Sequence, residues 1–169
     1  VCVHGLTRNG RDFDVLANAL AAEYRVVCPD VVGRGLSDRL PVADDYALTT
    51  YANDMVTLLA RLNVESVHWV GTSMGGLIGM LLASLPGSPI SRLVLNDVGP
   101  TVPLDALQRI GEYLGKAPDF ADLEQAEAYL RTVSAPFGNL TDRQWRYLTV
   151  VATRLKPEGG YEMNRSEER

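Results

Sequence analysis

Of the 169 residues only two are cysteine and two histidine. Cys2 and Cys28 each sit inside an apolar, strand-like run, which does not resemble the dense disulfide framework of a small secreted protein. Buried reduced thiols are predicted instead, and with them a reducing, cytoplasmic location. No pair of His, Cys or carboxylate residues has zinc-ligand spacing, and Cys2 with His4 is too little for a site, so no metal is expected. Positive charge is also scarce: Lys plus Arg total 16 against 21 for Asp plus Glu, a formal charge of -5. No basic excess therefore points to a nucleic-acid or anionic-membrane partner. The most apolar stretch, residues 69–83, is interrupted by Gly71, Thr72, Ser73, Gly75, Gly76 and Gly79 and falls short of the ~20 residues of a membrane helix. No membrane span is predicted, and no internal repeat is apparent.

Hydrophobic residues make up 46% of the chain and charged residues 22%. That composition fits one globular domain with a real core and argues against disorder, collagen or coiled coil. The chain opens on Val1 inside a strand-like run and ends on the polar stretch Arg165-Ser166-Glu167-Glu168-Arg169. The expectation is a piece of a longer protein, incomplete at both ends.

Four short apolar runs, residues 1–3, 24–28, 66–70 and 92–96, read as strands. Between them apolar positions recur at helical spacing. Phe13, Leu16, Ala17 and Leu20 form one stripe. Tyr51, Met55, Leu58, Leu59 and Leu62 form another, with Thr49 or Thr50 as its N-cap. Residues 77–85 are apolar nearly all round, as in a helix lying against a sheet. This alternation predicts βαβ units and a mainly parallel sheet covered on both faces. From Pro103 the strand signal stops. Leu104, Leu107, Gly111 and Leu114 make one helical stripe, Phe120, Leu123, Leu130 and Val133 a second, and Trp145, Leu148, Val151, Ala152 and Leu155 a third. Thr141 and Gln144 have capping-box spacing, which predicts a helix start near Asp142. The expected division is an α/β core over residues 1–100, a helical segment over 101–160 and a polar tail over 161–169.

Gly71-Thr72-Ser73-Met74-Gly75 is a G-x-S-x-G sequence lying after one predicted strand and before a predicted helix. A sharp strand-to-helix turn there would lift the Ser73 hydroxyl above the sheet, with small neighbours because the turn leaves no room for side chains. Ser73 is thus the candidate nucleophile. The Met74 amide, at a helix N-terminus, can donate to an oxyanion, and the Leu6 amide, after the turn at His4-Gly5, can supply the second donor. The plainer readings are a helix-capping serine for Ser73, a loop-ordering histidine for His4 and a satisfied or partly buried strand histidine for His68. Gly33 and Gly35 do not complete a nucleotide loop, since Asp38 stands where a third glycine is needed and no Walker lysine occurs around residues 71–76. No cofactor is expected.

With the HG pair at His4-Gly5, the loop Asp30-Val31-Val32-Gly33-Arg34-Gly35-Leu36-Ser37-Asp38 and the Ser73 turn in this order, the chain resembles the α/β-hydrolase superfamily in its serine-nucleophile branch, over residues 1–100. The resemblance implies the α/β-hydrolase fold, a parallel sheet flanked by helices, with residues 101–160 as the start of a helical cap. It further implies hydrolysis of a small carboxylic ester or related acyl substrate, a C–C bonded diketone included, through an acyl-enzyme on Ser73. A serine at the turn separates the chain from the dehalogenase and epoxide hydrolase branches, whose nucleophile there is an aspartate. One departure stands out: the family order is nucleophile, acid, histidine, yet His4 and His68 both precede Ser73. The base is therefore expected beyond Arg169. Asp97 stands where some members carry the acid, but an aspartate before Gly-Pro is equally an ordinary turn residue. Acyl transfer, a non-catalytic hydrolase-like binding module and an inactive fragment are the alternatives. Tyr113, Phe120, Tyr129, Phe137, Trp145 and Tyr147 are expected to pack the helices, some of them lining an apolar acyl pocket.

Overall fold

The computed structural model describes residues 1–113 and 118–164; Leu114, the Tyr113 side chain and residues 165–169 of the predicted tail lie outside the described residues. Three parallel strands form the main sheet, β1 (Cys2–Val3), β2 (Val67–Thr72) and β3 (Ile90–Asn96), in that order across it. Parallel neighbours cannot be joined by a tight turn, so the connections are crossovers containing helices. Helices α1 (Asp14–Leu20) and α2 (Leu48–Leu62) lie between β1 and β2, and α3 (Met74–Ala83) lies between β2 and β3.

Helix α2 forms because Tyr51, Ala52, Met55 and Leu59 share one face, which is buried, and it ends at Asn63 in the left-handed conformation, a common helix stop. The expected threonine cap is absent: the helix begins at Leu48 behind Ala47, which makes no side-chain cap bond, so Thr49 and Thr50 fall inside the first turn. Helix α3 buries Gly75, Gly76, Gly79, Ile78 and Leu82, and its small residues let it lie close on β2. The fully buried Trp69 donates its indole N–H to Gly75 O at 3.0 Å, joining the first turn of α3 to the sheet. Val3, Val31, Met55, Trp69, Ile78 and Leu82 belong to this core. Complete burial of each large apolar side chain stabilises by about 1.5–3 kcal/mol.

Three expectations need correction here. Residues 24–28 are not a strand; the backbone bond that ties them to β1, Cys2 N–H to Val27 O at 2.8 Å, makes no ladder. The sheet is covered on the face that meets α2 and α3, whereas its other face is open among the described residues. His68, Arg92 and Asn96 are exposed there, as is Val94 at 54%. His68 is thus neither buried nor half-buried, and its ring rests 5.7 Å from that of Tyr24. Helix α1 buries no residue, although Phe13 just before it is buried. Both thiols are free, Cys2 buried and Cys28 half-buried. A hydrogen bond from Cys28 pulls the Cys2 thiol below the ordinary range.

Beyond β3 come α4 (Leu104–Tyr113), α5 (Leu123–Val133) and α6 (Asp142–Ala152). The Thr141–Gln144 capping box forms as its spacing predicts. Two short strands were not legible: β4 (Thr153–Leu155) pairs antiparallel with β5 (Tyr161–Met163). Leu155 therefore belongs to a strand rather than to the α6 stripe, and the stretch read as a tail begins with a strand. Phe120, Ala126, Leu130, Ala152 and Met163 form a second core distinct from that of the sheet. The helical segment is tied to the chain after β1 by Asn9 Nδ2 donating to Val151 O at 2.7 Å, and by the Tyr147 hydroxyl at 2.9 Å from Arg11 O and 2.6 Å from Asp14 Oδ2. No described helix is long and apolar enough to cross a membrane.

Candidate active site

Ser73 sits between the last residue of β2 and the first of α3, at φ 49° and ψ −115°. This is the mirror image of the extended region, which glycine enters freely and a residue with a Cβ does not. The geometry is held from several sides. Ser73 N–H donates to Asn96 O at 2.8 Å, one position past the β2–β3 pairing, and Ser73 O accepts from Gly76 N–H and Leu77 N–H at 2.8 and 3.1 Å. The two flanking glycines are steric necessities. A Cβ on Gly75 would overlap the Val3 carbonyl oxygen and stand 2.5 Å from its carbon, and a Cβ on Gly71 would overlap Gly75 O. Ser73 itself is half-buried, at the C-terminal end of the strands, where open α/β sheets bind ligands.

The other sequence-predicted residues gather at the same place. Met74 opens α3, and the first N–H groups of a helix have no acceptor within it. Gly5 follows β1 closely enough that a Cβ on it would be 3.6 Å from Ser73 Cβ, in ordinary contact, which brings the His4-Gly5-Leu6 turn against the serine. Leu6 is half-buried and packs against the sheet core.

His4 is fully buried and engaged through both ring nitrogens. Nε2 accepts from Val31 N–H at 3.0 Å, which leaves the proton on Nδ1, 2.8 Å from Gly5 O. It is the loop-ordering histidine of the plainer reading. Burial lowers its pKa, against the raising effect of the bond to Gly5 O. The sign follows directly: below pH 6.5 the unfolded chain gains a proton that the fold refuses, so stability falls as pH drops from there towards the depressed folded value. Thermal unfolding followed from pH 8 to pH 5 should show this decline, and His4→Gln, which cannot titrate, should flatten it. A variant that declines as steeply as wild type would remove His4 from the account.

His68, on the open sheet face, lies five positions before Ser73, about 16 Å along an extended strand. Neither histidine is thus arranged to take a proton from Ser73. Asp97 follows β3 at φ 57° and is exposed. Among the described residues no group of three His, Cys, Asp or Glu side chains is placed to hold a metal ion. Trp145 and Phe120 are buried in the helical segment, Phe120 stacking at 5.4 Å on Tyr129, whereas Phe137 is exposed. An apolar groove of about 320 Å³ lined by Val56, Leu59, Val67, Leu82 and Pro89 lies at the opposite end of the strands from Ser73.

Sequence reasoning passed over Arg34 and Asn9, both buried polar residues of the two loops beside Ser73. Arg34 donates from Nε to Leu6 O at 3.0 Å and from Nη1 to Val32 O at 2.8 Å. The one available signal was Tyr46 and Tyr51 downstream, whose rings flank the guanidinium at 5.7 and 4.9 Å.

A 3-hydroxybutyrate-oligomer hydrolase of Cupriavidus necator is 59% identical over 160 residues, 95% of this chain and 54% of that protein. An esterase of Escherichia coli is 34% identical over 100 residues, 59% of this chain and 38% of that one. An α/β hydrolase of known structure from Novosphingobium aromaticivorans has a TM-score of 0.92 at 36% identity, covering 99% of this chain and 59% of that one. The chain spans about half the length of the 3-hydroxybutyrate-oligomer hydrolase. The family described as alpha/beta hydrolase fold matches residues 1–140, and the chain belongs to that family.

Proposed function

We propose that this chain carries the nucleophile of a serine carboxylic-ester hydrolase. The observation that carries the reading is the conformation of Ser73, held at φ 49°, ψ −115° between β2 and α3. Backbone strain of this kind costs about 1–3 kcal/mol and persists where the surroundings enforce it for a use. In this reading Ser73 Oγ attacks an ester carbonyl, the alcohol leaves, and water releases the acid from the acyl-enzyme. The developing oxyanion takes hydrogen bonds from the Leu6 and Met74 amides. His4 is engaged through both ring nitrogens and His68 stands on the open sheet face, so neither is assigned as the proton acceptor.

The substrate class we assign is short hydroxyacyl esters of the 3-hydroxybutyrate oligomer type, supported by the 59% identical relative. Residues 101–160 are proposed as a cap over the serine, a role supported by their separate core and their ties to the chain after β1. A cytoplasmic location belongs to the same reading, supported by the two free thiols.

The test is covalent labelling of the protein expressed from its own gene. A fluorophosphonate should add to Ser73, as mapped by peptide mass, and the protein should hydrolyse the 3-hydroxybutyrate dimer. Folded protein that takes no adduct, or takes it elsewhere, would exclude Ser73 as nucleophile.

A further inference from the structure

Leu6 can stabilise an oxyanion only if its N–H points at one place; that N–H lies in the peptide plane before Leu6, and holding the plane after Leu6 as well keeps the residue's own dihedrals from turning it. The plane before Leu6 contains Gly5 C=O and Leu6 N–H, which point in opposite directions in a trans peptide. Gly5 O is held by His4 Nδ1–H at 2.8 Å and by Arg8 N–H at 3.1 Å. The plane after Leu6 contains Leu6 C=O, and its oxygen accepts from Arg34 Nε at 3.0 Å. Fixing both planes fixes both backbone dihedrals of Leu6.

Arg34 is built to do this. It is 1% exposed, its second donor holds Val32 O at 2.8 Å, and its guanidinium lies 4.9 Å from the Tyr51 ring and 5.7 Å from that of Tyr46. Its own backbone is set by the loop: Arg34 N–H donates to Val31 O at 2.9 Å, and Gly33 N–H closes the turn on Asp38 O at 2.8 Å. The Asp30 carboxylate ties that loop to the chain after β1 and closes it on itself, accepting from Gly10 N–H at 2.7 Å and Leu36 N–H at 2.8 Å.

We propose that Arg34 is a positioning residue for the oxyanion donor: its planar fork spans the Leu6 and Val32 carbonyls and thereby aims the Leu6 amide at the carbonyl attacked by Ser73. This rests on the acyl-enzyme reading above. A lysine in its place keeps the charge but offers a single point donor in place of a rigid fork, so it cannot span both carbonyls in the same way. Misaiming one donor should cost about 10- to 100-fold in the chemical step, below the full loss of an oxyanion donor.

The experiment uses the protein expressed from its own gene, with Arg34→Met and Arg34→Lys beside wild type. It reads fluorophosphonate labelling of Ser73 and the turnover of 4-nitrophenyl butyrate, with thermal unfolding as the check on folding. Should Arg34→Met fail to fold, Arg34→Lys carries the test. The expected result is a labelling rate and kcat reduced about 10- to 100-fold with KM within about twofold of wild type. A folded variant that labels at the wild-type rate, or one in which only KM moves, overturns the proposal. Absence of labelling in wild type is a separate result: it removes the Ser73 reading and takes this inference with it.

Discussion

Ser73→Ala should lower ester hydrolysis by about 10⁴-fold or more, and Ser73→Gly should be equally inactive yet more stable than the alanine variant. The first part follows from removing the oxygen proposed to attack the ester. The second follows from the backbone, because alanine inherits the φ of 49° with the same Cβ, whereas glycine adopts that conformation without penalty. Relief of about 1–3 kcal/mol of strain is opposed by about 0.5–1 kcal/mol for the greater freedom of glycine in the unfolded chain. The balance is about 1 kcal/mol in favour of Ser73→Gly, or roughly 2–4 °C in Tm for a domain of this size. Thermal and urea unfolding of the two inactive variants checks it. Equal stability would show that the turn carries no strain, and the argument from conformation to chemistry would lose its footing.

That argument also explains why the serine was legible in the sequence when other features were not. The G-x-S-x-G pattern encodes a local demand, since Gly71 and Gly75 clear space for backbone atoms a few residues away or on the adjacent strand. The helix stripes are equally local: of the residues predicted for the buried face of α2, Tyr51, Met55 and Leu59 are buried, Leu58 and Leu62 are half-buried beside them, and Ala52 joins them. Pairing and cover are not local. Residues 24–28 have the composition of a strand, but a ladder needs a partner in register, and the described backbone bond to β1 is that of Val27. His68 lies within a strand as expected, but it is exposed rather than partly buried, because whether its face is buried depends on what packs there. β4 and β5 span three residues each, too few for alternation to show. Arg34 escaped notice because an arginine between two glycines reads as a solvated loop residue. Its partners are backbone carbonyls, Leu6 O and Val32 O, and backbone partners leave no trace in a side-chain pattern.

The steric account of the turn carries a graded prediction across three glycines. Gly75→Ala should be the most damaging, because the new Cβ would overlap Val3 O and approach Val3 C at 2.5 Å, and these are backbone atoms of β1 with nowhere to move. Overpacking against mobile side chains typically costs about 1–3 kcal/mol, so a clash with strand backbone should exceed about 3 kcal/mol. At Gly76 the overlap is with Val98 Cγ1, the end of a side chain that can rotate away, while the backbone oxygen Gly71 O at 3.2 Å and Leu95 Cδ2 at 3.3 Å need give by only a few tenths of an ångström. Gly76→Ala should therefore fall in the range of about 1–2 kcal/mol. At Gly99 nothing lies within 4 Å, so Gly99→Ala should be neutral or stabilising by up to about 1 kcal/mol through the unfolded chain. Urea unfolding of the three variants measures the order directly. β1 leads straight into His4, Gly5 and Leu6, so displacing Val3 would move the proposed oxyanion donor, the Leu6 amide, relative to Ser73. Any folded Gly75→Ala protein should accordingly lose fluorophosphonate labelling out of proportion to its stability, and Gly76→Ala should not. A Gly75→Ala protein as stable and as readily labelled as Gly99→Ala would mean that β1 can yield at Val3, and that the contact between strand and helix does not fix the site.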